Sequence, residues 1–354
     1  QLNVTGVGLW ALLRKGLVPI DSVVLDSARI EVLALARKPN RNSSKPLHER
    51  LPLRLNGLEI GYFSLLHTQA TYWPNAPVQA RFQRADLSAH DLLISPAGAA
   101  DSQRLGYAAA WQLLLLHTQA RTAGHNLALG RLQVATADQR VQLDSLRVRP
   151  VGPVRPGRAR VDLALPLLRL TGLDAAAVRN RHQFRADSLL VQSPRLTVTP
   201  AAPATPQSAT TAVGYLQRLD LAHFAVRDGY VRVAGIAPAP IIRVVKVVAT
   251  AIHFASTGAP DTKRIFCAQA WTVALGRSQT TVAAHALTLA SLRLSTTAGT
   301  LDLRSVRIRP PAPGRGQPGS MRVALRLPHL AITGLDAAAL QHEGHFQANS
   351  VMLD

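Results

Sequence analysis

The chain has 354 residues, of which 47% are hydrophobic and only 5% aromatic, and its formal net charge is +20. This length allows two or three domains, and the hydrophobic fraction is sufficient for a core. No apolar run is long enough to cross a membrane as a helix. The single cysteine, Cys267, excludes an internal disulfide and a cysteine-based metal site, and we expect it to be a buried, inert thiol.

The positive charge is distributed rather than clustered. Most basic residues are arginines at the polar positions of alternating segments, as in Arg147-Val148-Arg149 and Arg307-Ile308-Arg309. A nucleic-acid surface more often has a dense basic patch with interleaved aromatic residues. We therefore expect a solvated sheet face and no nucleic-acid partner, with attraction to anionic lipid headgroups or lipopolysaccharide as the alternative.

Composition and repeated motifs divide the chain into five parts. Two Pro-containing polar stretches have the composition of linkers, and the segments between them contain copies of one pattern. Because the chain begins and ends inside such copies, we expect it to be a piece of a longer protein. The predicted parts are 1–36, the tail of a preceding repeat; 37–52, a linker; 53–198, a complete repeat; 199–212, a Pro/Ala/Thr linker; and 213–354, a second, truncated repeat.

One heptapeptide recurs letter for letter in the two repeats. Thr171-Gly172-Leu173-Asp174-Ala175-Ala176-Ala177 returns at 333–339, and a weaker copy begins at Thr5. Trp111 matches Trp271 at an offset of 160, which becomes 162 after an insertion in a Pro/Gly-rich loop. A period of this size is far longer than that of common solenoid repeats, so each repeat is predicted to be a multi-strand module.

The recurring heptapeptide predicts a short helical joint between strands. Thr171 lies three residues before Asp174, the spacing of a capping box, and alanines follow. We expect helical joints at 171–180 and 333–342, with a recognition helix or active-site turn as the alternative. The predicted joint residues are Thr171, Gly172, Asp174, Thr333, Gly334 and Asp336.

A second pattern, apolar-x-apolar-x-x-apolar-x-apolar, recurs within each repeat. Strict alternation would change face at the doubled polar step, so a β-bulge or kink there is expected to keep both halves on one face. Asp228-Gly229 has the composition of a tight hairpin turn. The candidate apolar inner face consists of Leu127, Leu129, Leu132, Val134, Val141, Leu143, Leu146, Val148, Leu287, Leu289, Leu292, Leu294, Leu301, Leu303, Val306 and Ile308.

These patterns predict an all-β fold. The expected architecture is a long curved antiparallel sheet, trough-like or β-taco-like, built from tandem repeats of about 160 residues. Few helices are available to cover its concave apolar face. The sheet could fill its interior with its own side chains or remain an open trough, and periodicity alone leaves both open.

The sequence contains no persuasive catalytic motif, and we predict no catalytic residues, metal site or cofactor. His342 and His345 have an HxxH spacing that is expected to be a surface turn. Two identical tetrapeptides beginning at His67 and His117 are expected to be similar strand ends. Trp111 and its counterpart are expected in the core, with stacking on a sugar as the alternative.

Three phrases resemble the AsmA-like family, which is related to TamB-like and bridge-like lipid transfer proteins. They are Thr171-Gly172-Leu173-Asp174, the segment Leu189-x-Val191-x-x-Pro194-x-Leu196-x-Val198, and the segment 226–233 around Asp-Gly. The similarity covers nearly the whole chain as pattern and spacing. The first copy departs from it at Gly8, where the family pattern has Asp, and at Ala28, where it has Pro.

The resemblance implies a non-enzymatic protein of the periplasm or cell envelope, anchored by an N-terminal membrane helix outside this stretch and linked to outer-membrane biogenesis. Its apolar sheet face would carry phospholipid or other acyl-chain lipids between the inner and outer membranes. The alternative is a structural or adhesion-type β-array with a self-packed interior that binds protein or polysaccharide through its basic outer face. A third possibility is an enzyme whose site lies outside this chain.

Overall fold

The computed structural model describes residues 1–8, 10, 16–33, 45–52, 55–75, 78–122, 124–152, 159–200, 218–235, 239–255, 264–282, 285–310 and 323–354. Residues 37–44 of the predicted linker 37–52 and residues 201–212 of the predicted linker 199–212 lie outside these residues, whereas the described part of the first contains a 3-10 helix. Two compact units are present: a first unit of residues 1–147 and 169–185, and a second unit of residues 148–168 and 186–354.

The described chain is predominantly β-structure, hydrogen-bonded into one large sheet, which confirms the predicted all-β class. Its helices are the 3-10 helix Leu47–Arg50 and the α-helices α1 (Pro96–Ala100), α2 (Ala175–Arg181) and α3 (Ala337–His342). The strands are β1 (Leu2–Thr5), β2 (Leu17–Asp26), β3 (Arg29–Leu33), β4 (Gly57–Asn75), β5 (Val78–Ile94), β6 (Ala108–Arg121), β7 (His125–Ala135), β8 (Arg140–Pro150), β9 (Arg160–Thr171), β10 (Gln183–Gln192), β11 (Arg195–Thr199), β12 (Arg218–Val233), β13 (Ile241–Ala255), β14 (Ala270–Leu275), β15 (Ser278–Val282), β16 (His285–Leu289), β17 (Ser291–Ser295), β18 (Thr300–Arg309), β19 (Leu325–Thr333) and β20 (Ser350–Leu353).

Each unit contains a parallel step that the sequence did not predict. In the first unit β2 and β3 both pair in parallel with β4, and in the second unit β11 pairs in parallel with β12. Parallel neighbours require a long crossover, which the segments 34–56 and 200–217 are long enough to supply. Within each unit the chain thus returns to the same end of the sheet, as successive turns of a β-solenoid do. The fold is a β-solenoid, so the predicted trough-like or β-taco-like antiparallel sheet is wrong.

Single residues with a left-handed backbone interrupt the long strands. Ser145 in β8 and Ser305 in β18 have φ values of 59° and 52°, and both occupy the doubled polar step of the sequence pattern. The pairing of β18 with β19 keeps the same register on both sides of Ser305, so this is a kink without an inserted residue. At His67, by contrast, the register between β4 and β5 shifts, which is a true bulge. The predicted interruption of the alternation is therefore present in both forms.

The Asp228-Gly229 pair is one of these kinks and not a hairpin turn. Both residues lie within β12, and their neighbours keep one register with β13. Only Asp228 has a positive φ, of 54°, whereas a two-residue type I′ turn needs positive φ at both positions. Gly229 instead allows β12 and β13 to approach closely, because a Cβ at this position would lie only 3.2 Å from the Cβ of Val244.

The helical joints begin about one turn later than predicted. Asp174 and Asp336, and not the preceding threonines, are the N-caps of α2 and α3. The Asp174 carboxylate accepts a hydrogen bond of 2.8 Å from the amide of Ala177. Gly172, with a φ of 68°, turns the chain between the end of β9 and this cap. The capping residue was misassigned because this extra turn separates the threonine from the helix.

We expect the kink at Ser305 to tolerate glycine and to reject a β-branched residue. Ser305→Val should lower the free energy of unfolding by about 1–2 kcal/mol, because its Cβ branches clash in the left-handed region. Ser305→Gly should stay within about 0.5 kcal/mol of the parent. Urea unfolding followed by circular dichroism measures both. Arg309→Val, at an exposed position of the same strand, is the control, and an equal loss there would contradict the assignment.

The cap of α2 can be tested separately. Asp174→Ala should lower the unfolding free energy by about 1 kcal/mol, since the first free amides of the helix lose their acceptor. Asp174→Asn retains an acceptor oxygen and should cost about 0.3 kcal/mol or less. Chemical denaturation distinguishes the two substitutions. Equal losses would mean that the carboxylate acts through its charge, for example on Arg181 at 3.3 Å, and not as a cap.

Candidate apolar binding face

Paired strands place apolar side chains in a continuous row across the second unit. Directly opposed residues of neighbouring strands point to the same face of a sheet, so the pairing register defines each row. One row crosses seven strands, from β12 to β20, without a polar interruption. It consists of Val226, Val247, Val273, Leu294, Leu301, Ile332 and Val351.

Further apolar rows lie beside it and in the first unit. On the second unit, the neighbouring row begins at Gly229 and continues through Val244, Leu275, Leu292, Leu303, Leu330 and Leu353. On the first unit, a row over six strands consists of Leu2, Leu25, Leu65, Leu87, Leu113 and Val134. Each unit by itself therefore presents an apolar face that is wider than one strand.

The predicted inner-face residues fall on these strands. Val306 is buried and the other fifteen are half-buried, whereas the intervening arginines of β18 are exposed. Three predicted pairs are directly opposed: Leu292 with Leu303, Leu294 with Leu301, and Leu287 with Ile308. On β7, Leu132 and Val134 lie opposite Leu115 and Leu113 of β6. Val141, Leu143, Leu146 and Val148 lie on β8. Their placement on an inner, lipid-facing surface remains a prediction.

Sequence patterning missed several members of the rows. Val247 lies in the run Ile241–Val248, which does not alternate, and the register between β13 and β14 shifts between Val244 and Lys246. Leu330 and Ile332 on β19 fit the eight-residue pattern, as Leu325-x-Leu327-x-x-Leu330-x-Ile332, but were not included in the predicted inner face. Val247 is identified only by the cross-strand register, which no local signal supplies.

The apolar rows have little cover in the described part of the chain. There, the largest fully buried side chain is that of Ser64, and the other fully buried residues are alanines. In a packed core, Leu, Ile and Phe side chains are commonly buried completely. Most row residues are instead half-buried, although Ile332 is buried at 6% exposure. At the end of the row in β20, Leu353 is 62% exposed.

A tight turn precedes β6 and recurs before β14, closed by the bridges Leu105–Ala108 and Ile265–Ala268. The Trp111 indole N–H donates to the carbonyl of Leu105, and the matching Trp271 indole donates to Ile265 O at 2.7 Å. The backbone amide of each tryptophan is bonded at 2.8 Å to a threonine hydroxyl. Both tryptophans are half-buried with their polar group satisfied, which agrees with the structural role predicted for them and not with an open sugar platform.

The opposite face carries small polar networks built from Asp, His and Arg. His253 lies 2.5 Å from Asp220, which also accepts a hydrogen bond of 2.7 Å from Arg218 two residues away. On β18 and β19 the same arrangement recurs, because Arg304 and His329 both contact Asp302. In a strand, side chains at positions i and i+2 point to the same face, which brings Arg218 next to Asp220 and Arg304 next to Asp302.

His329 lies between two carboxylates. Its Nε2 is 2.8 Å from Asp302 Oδ2, and its Nδ1 is 3.3 Å from Asp354 Oδ2. Only the imidazolium has a proton on both nitrogens, so these hydrogen bonds, that to Asp302 foremost, raise the pKa of His329 above 6.5. The hydrogen bond from His329, followed by that from Arg304, lowers the pKa of Asp302 below 3.8.

These shifts fix the sign of a pH dependence. A raised histidine pKa stabilises the fold below pH 6.5, and this contribution is lost as the pH rises through the folded-state value. A lowered aspartate pKa stabilises the fold above pH 3.8, and this contribution is lost as the pH falls through the folded-state value. The pair should therefore contribute most between these two values.

We accordingly expect His329→Gln to reduce stability more at pH 5 than at pH 9, as measured by thermal unfolding at both values. In a direct NMR titration, Asp302→Asn should move the pKa of His329 down toward 6.5. Asp91→Asn, which removes a carboxylate outside this network, serves as the control. An unchanged His329 titration in Asp302→Asn would contradict the network.

Three smaller predictions have clear outcomes. Cys267 is exposed, not buried, because it lies in the turn between Ile265 and Ala268 with a φ of 66°. The tetrapeptide beginning at His67 lies inside β4 and not at a strand end, whereas that beginning at His117 lies at the end of β6 as predicted; both histidines have a left-handed backbone. The HxxH pair is on the surface as predicted, with His345 81% exposed.

Neither the family models nor the curated proteins compared with this chain give a match. Among the described residues, no three His, Cys, Asp or Glu side chains converge in a way that could hold a metal ion. A search of the same residues for a helix of sufficient length and apolarity to cross a bilayer also finds none.

Proposed function

We propose that this chain is a non-enzymatic lipid-handling module of the cell envelope. Its apolar sheet face binds the acyl chains of phospholipids or related lipids and carries them between the inner and outer membrane surfaces. The observation that supports this proposal is the set of continuous apolar rows, most of whose members are half-buried, together with the lack of any fully buried side chain larger than that of Ser64 in the described part of the chain.

The energetics of the rows are compatible with acyl-chain binding. An extended acyl chain lies naturally along a row of branched apolar side chains, and each methylene removed from water contributes about 0.8 kcal/mol. Ten such methylenes would contribute about 8 kcal/mol before the cost of ordering the chain is subtracted. A row over seven strands is long enough for this, because neighbouring strands are about 4.8 Å apart.

The envelope location and the two membrane partners rest on the resemblance to AsmA-like proteins. The net charge of +20 supports attraction to anionic membrane surfaces, where each basic residue near the headgroups contributes about 1 kcal/mol. The membrane anchor implied by the resemblance belongs to the same proposal.

A structural or adhesion-type array is the second candidate. The observation in its favour is the solenoid-like return of the chain within each unit, together with an opposite face rich in exposed arginine. Such an array would bind protein or polysaccharide through its basic face. It would require the apolar rows to be filled by the chain itself, and the scarcity of fully buried large side chains weighs against this.

The two candidates differ in the expected effect of a charge on the row. Leu303→Glu, and likewise Leu146→Glu on β8, should abolish lipid co-purification while the sheet still folds, because a half-exposed carboxylate can reach water. Native mass spectrometry with lipid extraction, on protein purified gently from a bacterial host, measures this. Thr272→Glu, at an exposed position of β14 next to Val273 and therefore on the other face, is the matched control and should retain lipid.

Either opposite result would decide against the carrier. A lipid-free parent protein that unfolds cooperatively would contradict acyl-chain binding. Unfolding of Leu303→Glu, with normal folding of Thr272→Glu, would indicate a self-packed interior and favour the structural array.

A further inference from the structure

A groove of about 580 Å³ opens on the second unit, on the face opposite the apolar rows. The pairing row Ile241, Gln279, Thr288 and Arg307 places it there, since the next residue of β18, Ile308, pairs with Leu287 on the apolar side. Four arginines line the groove: Arg243, Arg277, Arg307 and Arg309. No acidic residue is among its lining residues.

The four guanidinium groups have no carboxylate partner within the described residues. Other arginines of this face differ, because Arg218 and Arg304 each bond to an aspartate two residues away. Arg243 and Arg277 are cross-strand neighbours, with the amide of Gly276 bonded at 2.9 Å to the carbonyl of Arg243. Like charges at such positions are destabilising unless an anion lies between them.

The bottom of the groove is made of small and polar residues. Ala290 and Ser305 also line the groove, and Ser305 lies on the same strand as Arg307 and Arg309. Ser278 is buried, at 6% exposure. Its hydroxyl donates to Gly276 O at 2.9 Å and accepts from the amide of Arg243 at 3.2 Å, which fixes the strands that carry Arg243 and Arg277. Arg243 and Arg277 therefore lie on a part of the sheet that is held in place by hydrogen bonds.

The first repeat has half of this charge. At the matching positions, 160 residues earlier, Arg147 and Arg149 are retained, but Gln83 and His117 replace Arg243 and Arg277. The fold of the repeat thus does not require the second arginine pair. The second arginine pair of the groove is therefore not explained by the high arginine content of the chain as a whole.

We propose that this groove binds a phosphate group, as a monoester or diester, through the four arginines. Guanidinium groups donate paired hydrogen bonds that match the oxygens of phosphate, and such charge-assisted bonds are about twice as strong as neutral ones. A soluble phosphate compound and a lipid headgroup share this chemistry. The groove does not depend on the acyl-chain proposal, because it lies on the other face and uses different residues.

The test uses the whole 354-residue chain and inorganic phosphate as the probe, titrated by calorimetry at constant ionic strength. We expect saturable binding. The double variant Arg243→Gln/Arg277→His, which copies the first repeat, should weaken it at least tenfold. Arg147→Gln/Arg149→Gln removes the same charge from β8 and should change it less than twofold. Arg307→Gln/Arg309→Gln should reproduce the tenfold loss, which keeps the test valid if one double variant folds poorly.

If the site variants and the control variant weaken phosphate binding equally, the effect is general charge attraction and the proposal is overturned. Phosphate binding that does not saturate would also overturn it. The melting temperature supplies a second readout. Without phosphate, Arg243→Gln/Arg277→His should melt no lower than the parent, because a repulsion is removed. Phosphate should raise the melting temperature of the parent and not that of the variant, and the reverse would also overturn the site.

Vesicles separate the two sources of phosphate. Binding to phosphatidylglycerol in phosphatidylcholine, compared with phosphatidylcholine alone, should fall in the site variants if a lipid headgroup occupies the groove. If only inorganic phosphate binding falls, the groove is assigned to a soluble phosphate compound. The acyl-chain proposal fails if the parent protein purifies without lipid, whereas the groove fails if phosphate binding survives in the site variants, so the two failures give different results.

Discussion

The architecture depends on one backbone constraint, a single left-handed residue within seven of the strands, namely β4, β5, β6, β8, β12, β13 and β18. An uninterrupted strand alternates its side chains, so a doubled polar step would move every later apolar residue to the solvent face. The kinks at Ser145 and Ser305 absorb this step, and both halves of β8 and β18 keep their apolar residues on the same side.

The kinks also explain which residue types occupy them. Ser, Asp and His are found at these positions, and short polar side chains tolerate the left-handed region better than branched apolar ones. At Asp228 this local preference resembles a hairpin signal, since Asp-Gly is favoured in tight turns for the same reason. The tertiary context decides the outcome, because the strand continues and pairs with β13 through both sides of the kink.

An all-β repeat protein and the strands that carry its apolar residues could be predicted from the sequence. The signals were the period-two alternation of apolar residues, the Thr-Gly joints and the constant offset of 160 residues between repeats. The matched hydrogen bonds of Trp111 and Trp271 show how closely the two repeats correspond. The parallel steps could not be predicted, because pairing direction depends on where a crossover returns the chain and not on the local pattern. The groove could not be predicted from the sequence either, since Arg243 and Arg277 are distant in sequence and become neighbours only through the register of β13 and β15.

The parallel steps have a consequence for folding. Because β4 runs parallel to β2 and β3, and β12 runs parallel to β11, each parallel pair can form only after the chain between its two strands has closed a long loop. A hairpin such as β4 with β5 closes a far shorter loop. Within each unit, the antiparallel pairs are therefore expected to form before the parallel ones.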